Sequence, residues 1–104
     1  MNCLIRIENH SNVEIEGYEQ ISAQGQIFWL YEISYNQESI AALLQDTQRI
    51  LSKQERKLKE LVDYGADVFL FFEHEELFPV RIGSETLTLL ASIGANLEIY
   101  HPER

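Results

Sequence analysis

Proline and glycine are scarce. The 104 residues include two prolines and five glycines, too few for a flexible linker or a low-complexity tail. Cysteine is scarcer still. Cys3 stands alone, which excludes an intrachain disulfide. Set in an apolar run, it reads as a small buried hydrophobe and not as a reactive thiol. Long hydrophobic stretches are also missing. The apolar run Val68 to Phe72 fits a buried strand and falls far short of the roughly 18–20 residues of a membrane span. The opening Met1-Asn2-Cys3-Leu4-Ile5-Arg6 lacks the charged region and apolar core of a secretory signal, so the expectation is a cytoplasmic protein. Positive charge is in short supply as well: eight Lys and Arg face seventeen Asp and Glu, a formal charge of −9.

What is present is ordinary globular composition, 45% hydrophobic and 24% charged. The length suits a single domain, residues 1–104, with one core. The charge is unevenly spread. Residues 1–48 hold seven acids and one base. Residues 49–59 hold five bases and one acid, and residues 60–80 hold six acids and no base. Such a surface repels nucleic acid and membranes and attracts basic proteins. It also serves plain solubility.

The residue pattern predicts an α+β fold. Residues 3–8 and 13–16 are short, β-branched-rich stretches joined by the turn Asn9-His10-Ser11-Asn12. Gly17 and Gly25 bracket a polar loop. From Gln26 to Tyr35, Ile27, Trp29, Tyr31, Ile33 and Tyr35 alternate onto one strand face. Phe28, Leu30, Glu32 and Ser34 take the other, which starts apolar and becomes polar. Residues 38–64 switch to helical spacing. Ile40, Leu43, Leu44, Thr47, Leu51, Leu58, Leu61 and Val62 form one stripe.

One helix of that length spans about 40 Å, against a radius of gyration of about 13 Å for a 100-residue domain. With Ser52-Lys53-Gln54-Glu55 as a capping box, the expectation is two helices, 38–51 and 53–64, ending at Gly65. The rival is one helix with Gln54 on its seam. Val68 to Phe72, unalternating, reads as a central strand buried on both faces. A short helix capped by Ser84 and closed by Gly94 follows, then a strand over Asn96 to Tyr100. The order βββααβαβ implies a mainly antiparallel sheet with helices on one face.

Chemical motifs are few. The glycines are scattered singles, unlike a phosphate loop, and there is no nucleophile elbow, HExxH or CxxC. His10, His74 and His101 are far apart in sequence and read as solvated loop histidines, since a general base needs a positioned partner. Neighbouring residues of Glu73-His74-Glu75-Glu76 point in divergent directions and cannot converge on one ion. The expectation is therefore no catalytic residue, no metal and no cofactor. Glu73, Glu75 and Glu76, held at the end of a buried strand, read instead as a charged contact surface, with Asp63 and Asp67 as further candidates. Tyr31 and Tyr35 read as core, and become interface anchors if the polar end of their strand is exposed. The bases at 49–59 make a weak nucleic-acid footprint beside so many acids.

From Phe28-Trp29-Leu30-Tyr31-Glu32 onward, the chain resembles a family of small bacterial domains of unassigned function. That family includes immunity proteins of toxin–immunity systems. Further carriers are Ile40, Leu43 and Leu44, the strand Val68 to Phe72, and the ending. The ending is the most specific part: Ser84-Glu85-Thr86-Leu87, then Leu90-Ala91-Ser92-Ile93-Gly94-Ala95-Asn96-Leu97-Glu98-Ile99-Tyr100. The likeness covers about residues 27–100. It implies a non-catalytic protein that binds and neutralises a cognate toxin, a basic nuclease among the possibilities. The other expectations left open are a small-ligand or enzymatic site assembled from distant residues, and a self-associating structural protein.

Overall fold

Alternation of apolar and polar residues near the N-terminus builds the middle of a sheet. In the computed structural model, which describes residues 2–10, 14–34, 39–74 and 81–101, β1 (Asn2–Glu8) lies between β3 (Gln26–Ser34) and β4 (Asp67–Glu73). β2 (Glu19–Ala23) forms one edge and β5 (Asn96–Tyr100) the other. The pairings are antiparallel except β4 with β5, which is parallel and so requires a crossover. That crossover contains α2 (Ser84–Ile93), while α1 (Ile40–Asp63) links β3 to β4. The class is α+β, with a mainly antiparallel sheet and both helices on one face.

The order of elements is βββαβαβ, so the expected βββααβαβ needs one correction: residues 40–63 are a single helix. Ser39 caps it, its Oγ accepting from the Ala42 N–H at 3.2 Å. The break expected at Ser52 does not occur. The size argument assumed a sphere, whereas the molecule measures 38 × 31 × 19 Å. A 24-residue helix of about 36 Å fits within the 38 Å dimension of such a plate without overhanging. Gln54, the polar residue on the seam, is satisfied because its Oε1 accepts from the Tyr18 hydroxyl. The helix stops in a Schellman turn: Gly65, at φ 97°, lets its own N–H reach Val62 and the Ala66 N–H reach Leu61.

Two further expectations shift near the N-terminus. Residues 14–16 are not strand. Ile15 and Tyr18 are buried instead, and the Lys57 Nζ donates to the Glu16 carbonyl, fastening this segment to α1. The supposed loop between Gly17 and Gly25 contains β2. It turns into β3 over Gln24 and Gly25, whose φ values of 52° and 77° are those of a two-residue type I′ hairpin turn.

The core lies between the helices and one face of the sheet. Cys3, Ile5 and Ile7 of β1, Trp29 of β3 and Val68, Leu70 and Phe72 of β4 meet Leu43, Ile50, Leu51 and Leu58 of α1 and Leu90 and Ile93 of α2. Inside this layer the Thr47 hydroxyl donates to the Leu43 carbonyl at 2.7 Å, with the Cys3 sulfur 3.6 Å away. Burial pushes the Cys3 thiol up to about 12, which removes it from nucleophilic chemistry near neutral pH. β4 alternates between buried and half-buried residues, so it is sealed on one face only and lies one strand from the edge. α2 begins at Ser84 itself, with Gly83 at the cap position and no side-chain capping bond. It ends at Gly94 in the left-handed region.

Candidate partner-binding face

Among the described residues, no helix lies over the opposite face of the sheet. Strand register lines up its residues in rungs. One runs Glu19, Leu30, Arg6, Phe69, Asn96; the next runs Glu32, Leu4, Phe71, Glu98; a third joins Asn2, Glu73 and Tyr100. Ile21 and Phe28 extend the face beyond the first rung. Leu4, Phe28, Leu30, Phe69 and Phe71 are half-buried. Flanking strands and neighbouring side chains shelter them without sealing them.

All the formal charge of the sheet lies here. The five strands contain six acids, Glu8, Glu19, Glu32, Asp67, Glu73 and Glu98, and one base, Arg6. By register and alternation every one of them falls on the open face. The covered face carries none, because an unpaired charge there would have to be desolvated against the helices.

Arg6 organises the centre. Its guanidinium sits 4.7 Å from the Phe69 ring centroid and 5.8 Å from that of Phe71, within cation–π range. Its Nε lies 3.0 Å from Glu8 and its Nη2 2.8 Å from Glu98. Phe71 stacks against Tyr100 at 6.3 Å. The result is an apolar, aromatic patch with one fixed cation and a carboxylate rim in excess of it.

The residues named from the sequence spread over this framework. Glu73 is half-buried at the end of β4, where its Oε1 accepts from Asn2 Nδ2 at 3.3 Å. Asp67 begins the same strand and binds the Asn9 side chain. Asp63 is exposed at the end of α1. Asp63 and Asp67 thus stand at one end of β4 and Glu73 at the other, about 20 Å away for a strand of this length. Tyr31 belongs to the covered side, packed on the core with its ring 5.3 Å from that of Tyr18. Glu75, Glu76 and Tyr35 lie outside the described residues.

His101 is exposed past the end of β5, as expected, but the other two histidines differ from solvated loop residues. His74 is buried at 5% exposure, its ring 6.1 Å from His101. His10 packs edge-on to Trp29 at 6.3 Å. The Trp29 indole N–H is buried without a hydrogen-bond partner among the described residues.

Two concavities are also present. One of about 270 Å³ lies among Glu8, Asn9, His10, Gln26 and Phe28. Another of about 350 Å³ lies between α1 and the start of α2, by Gln48, Arg81, Ser84 and Glu85. Neither, among the described residues, has a nucleophile hydrogen-bonded to a base. Among the described residues, no group of three or more His, Cys, Asp or Glu is placed to hold a metal ion. Among these residues, no helix is long and apolar enough to cross a membrane.

Arg6, Phe69, Phe71 and Glu98 were not singled out from the sequence. The signal was present in part. Asn2, Leu4, Arg6 and Glu8 alternate with Cys3, Ile5 and Ile7, and Phe28, Leu30 and Glu32 form the mixed face of their strand. Which of these faces stays open depends on where the helices pack.

No protein family, curated protein or solved structure matches the chain.

Proposed function

We propose that this chain is a non-catalytic binding protein that receives a basic protein partner on the open face of its sheet. The resemblance over residues 27–100 makes that partner a bacterial toxin domain and the chain its immunity protein. The observation that carries the reading is the segregation of charge: six acids and one base on the open face around an apolar centre. Interfaces draw affinity from a few desolvated aromatic and arginine anchors inside a polar rim. Phe69, Phe71, Tyr100 and Arg6 are the anchors. Glu19, Glu32 and Glu73 belong to the rim.

The test is a pull-down from the lysate of the source with the tagged wild type and a Glu19→Lys/Glu32→Lys double variant, each at low and high salt. One basic partner that is captured by the wild type, weakened by salt and lost in the variant supports the reading. A partner held equally by both proteins removes the open face from the interface. No partner at either salt transfers weight to a small ligand in the concavity beside Arg81, whose volume reaches the lower end of ligand sites.

A further inference from the structure

The two edges of the sheet are not alike. β2 offers Gln20 and Ser22 on the covered side, and its one large apolar residue, Ile21, on the open side. β5 offers Leu97 and Ile99 on the covered side, where they remain 36% and 51% exposed, and Tyr100 on the other side at 50%. Among the described residues, three of the six exposed large hydrophobic residues therefore fall within one five-residue edge strand.

Several of the usual protections are missing from that edge. It carries no lysine and no proline, and its register with β4 is continuous over five residues, with no bulge to twist it away. Its single charge, Glu98, is drawn inward across β4 to Arg6 on β1 at 2.8 Å, instead of standing out over the edge.

The backbone polarity of β5 follows from one hydrogen bond. The His74 N–H donates to the Tyr100 carbonyl at 2.9 Å, so Tyr100 addresses β4. By alternation Glu98 and Asn96 do too. The N–H and C=O groups of Leu97 and Ile99 face outward. They form a short ladder for an added strand.

Charge decides the occupant. A second copy brings another −9 and sets like against like. Around Arg6, two carboxylates share one guanidinium, so a negative charge is left over beside the edge. Resting on the reading that the chain binds a basic protein, we infer that β5 is the docking edge for an extended segment of that partner. In this arrangement the segment alternates apolar with basic residues, pairing with the Leu97 and Ile99 backbone. Its apolar side chains lie on the Leu97–Ile99 side and its basic ones on the Glu98 side. This is strand addition: main-chain bonds hold the segment, and the alternation of side chains selects it.

The probe is a labelled seven-residue peptide alternating valine and lysine, compared with one alternating valine and glutamate. Fluorescence anisotropy with the intact protein reads binding. The lysine peptide is expected to bind and the glutamate peptide not to. Ile99→Pro removes one outward N–H while sparing the β4 ladder, and is expected to weaken the lysine peptide at least tenfold. Ile99→Pro binding the peptide as wild type does would overturn the inference, as would indifference to peptide charge.

Amide exchange on the wild type gives an answer that needs no variant. On adding the lysine peptide, the Leu97 and Ile99 amides gain protection and the Glu98 amide does not; protection elsewhere only would refute the edge. A concentration-dependent dimer abolished by Ile99→Pro also overturns it, since the occupant is then a second copy. The two readings separate in the pull-down. A partner lost with Glu19→Lys/Glu32→Lys but kept with Ile99→Pro leaves the open face standing and sinks the edge. A partner kept by both sinks the underlying reading.

Discussion

The two faces of one sheet show how a short chain divides its labour. Ile5, Ile7 and Leu70 on the covered face are at most 1% exposed. Leu4, Arg6 and Phe71, their neighbours along the same strands, are half-buried. The same backbone hydrogen bonds support both sets, so the difference comes from what stands above them. Side chains under α1 and α2 contribute to stability through packing and burial. Those on the open face give up little on being changed, and are free to serve contact.

That contrast can be broken by mutation. The largest effect belongs under the helices: Ile5→Ala should cost about 2–5 kcal/mol, read from urea melts. A cost below about 1 kcal/mol would mean that the covered face is loosely packed. Next is the hinge of the covering layer. Gly94 has φ 80°, and a Cβ there would stand 3.1 Å from Val62 Cγ1. Gly94→Ala should therefore cost about 1–3 kcal/mol and separate α2 from α1.

On the open face, Arg6→Ala removes two ion pairs and two ring contacts that water partly screens. A loss of about 1 kcal/mol, shrinking at high salt, is expected. Arg56 on the outer helix surface, 94% exposed, pairs with Glu60 at 3.7 Å. Its replacement by alanine should stay within about 0.5 kcal/mol.

Cys3 sharpens the comparison by a different route. Burial, partly offset by the Thr47 hydrogen bond, raises its thiol from 9.0 to about 12. The folded state therefore holds the proton where the unfolded chain releases it. The stability this contributes is complete below pH 9.0 and is lost as pH rises towards about 12. A thiol reagent at pH 8 should leave the native protein unlabelled and react on denaturation; rapid native labelling would reveal that the covered layer opens.

Much of this was legible in the residues. The alternation over 26–34 placed Trp29, Tyr31 and Ile33 on the core side, where they lie. Gly65 and Gly94 ended their helices as read. The misses have identifiable physical causes. β2 was hidden because its turn uses Gln-Gly, not the usual Asn-Gly pair, and because all five of its residues are exposed, leaving no apolar alternation to detect. The single helix was missed because a capping box is a local signal, whereas the polar Gln54 on the seam is satisfied by Tyr18, thirty-six residues away. The candidate site was read as runs of acids along the chain. Sheet register instead sets Glu19, Glu32 and Glu98, from separate strands, on one face and parts Asp67 from Glu73 by the length of β4. Pairing across strands is long-range information that a single strand does not contain.

The plate shape has one more consequence. Across its 19 Å thickness, the sheet side holds five negative charges in excess, while α1, with five bases and four acids, is nearly neutral. The sheet and α1 together therefore form an electric dipole that points from one layer to the other. A positively charged body nearby exerts a torque that turns the open face toward it before contact. With a screening length of about 8 Å at physiological salt, that rotation happens only in the last stretch of approach. The fraction of collisions arriving correctly oriented then becomes a property of the ionic strength.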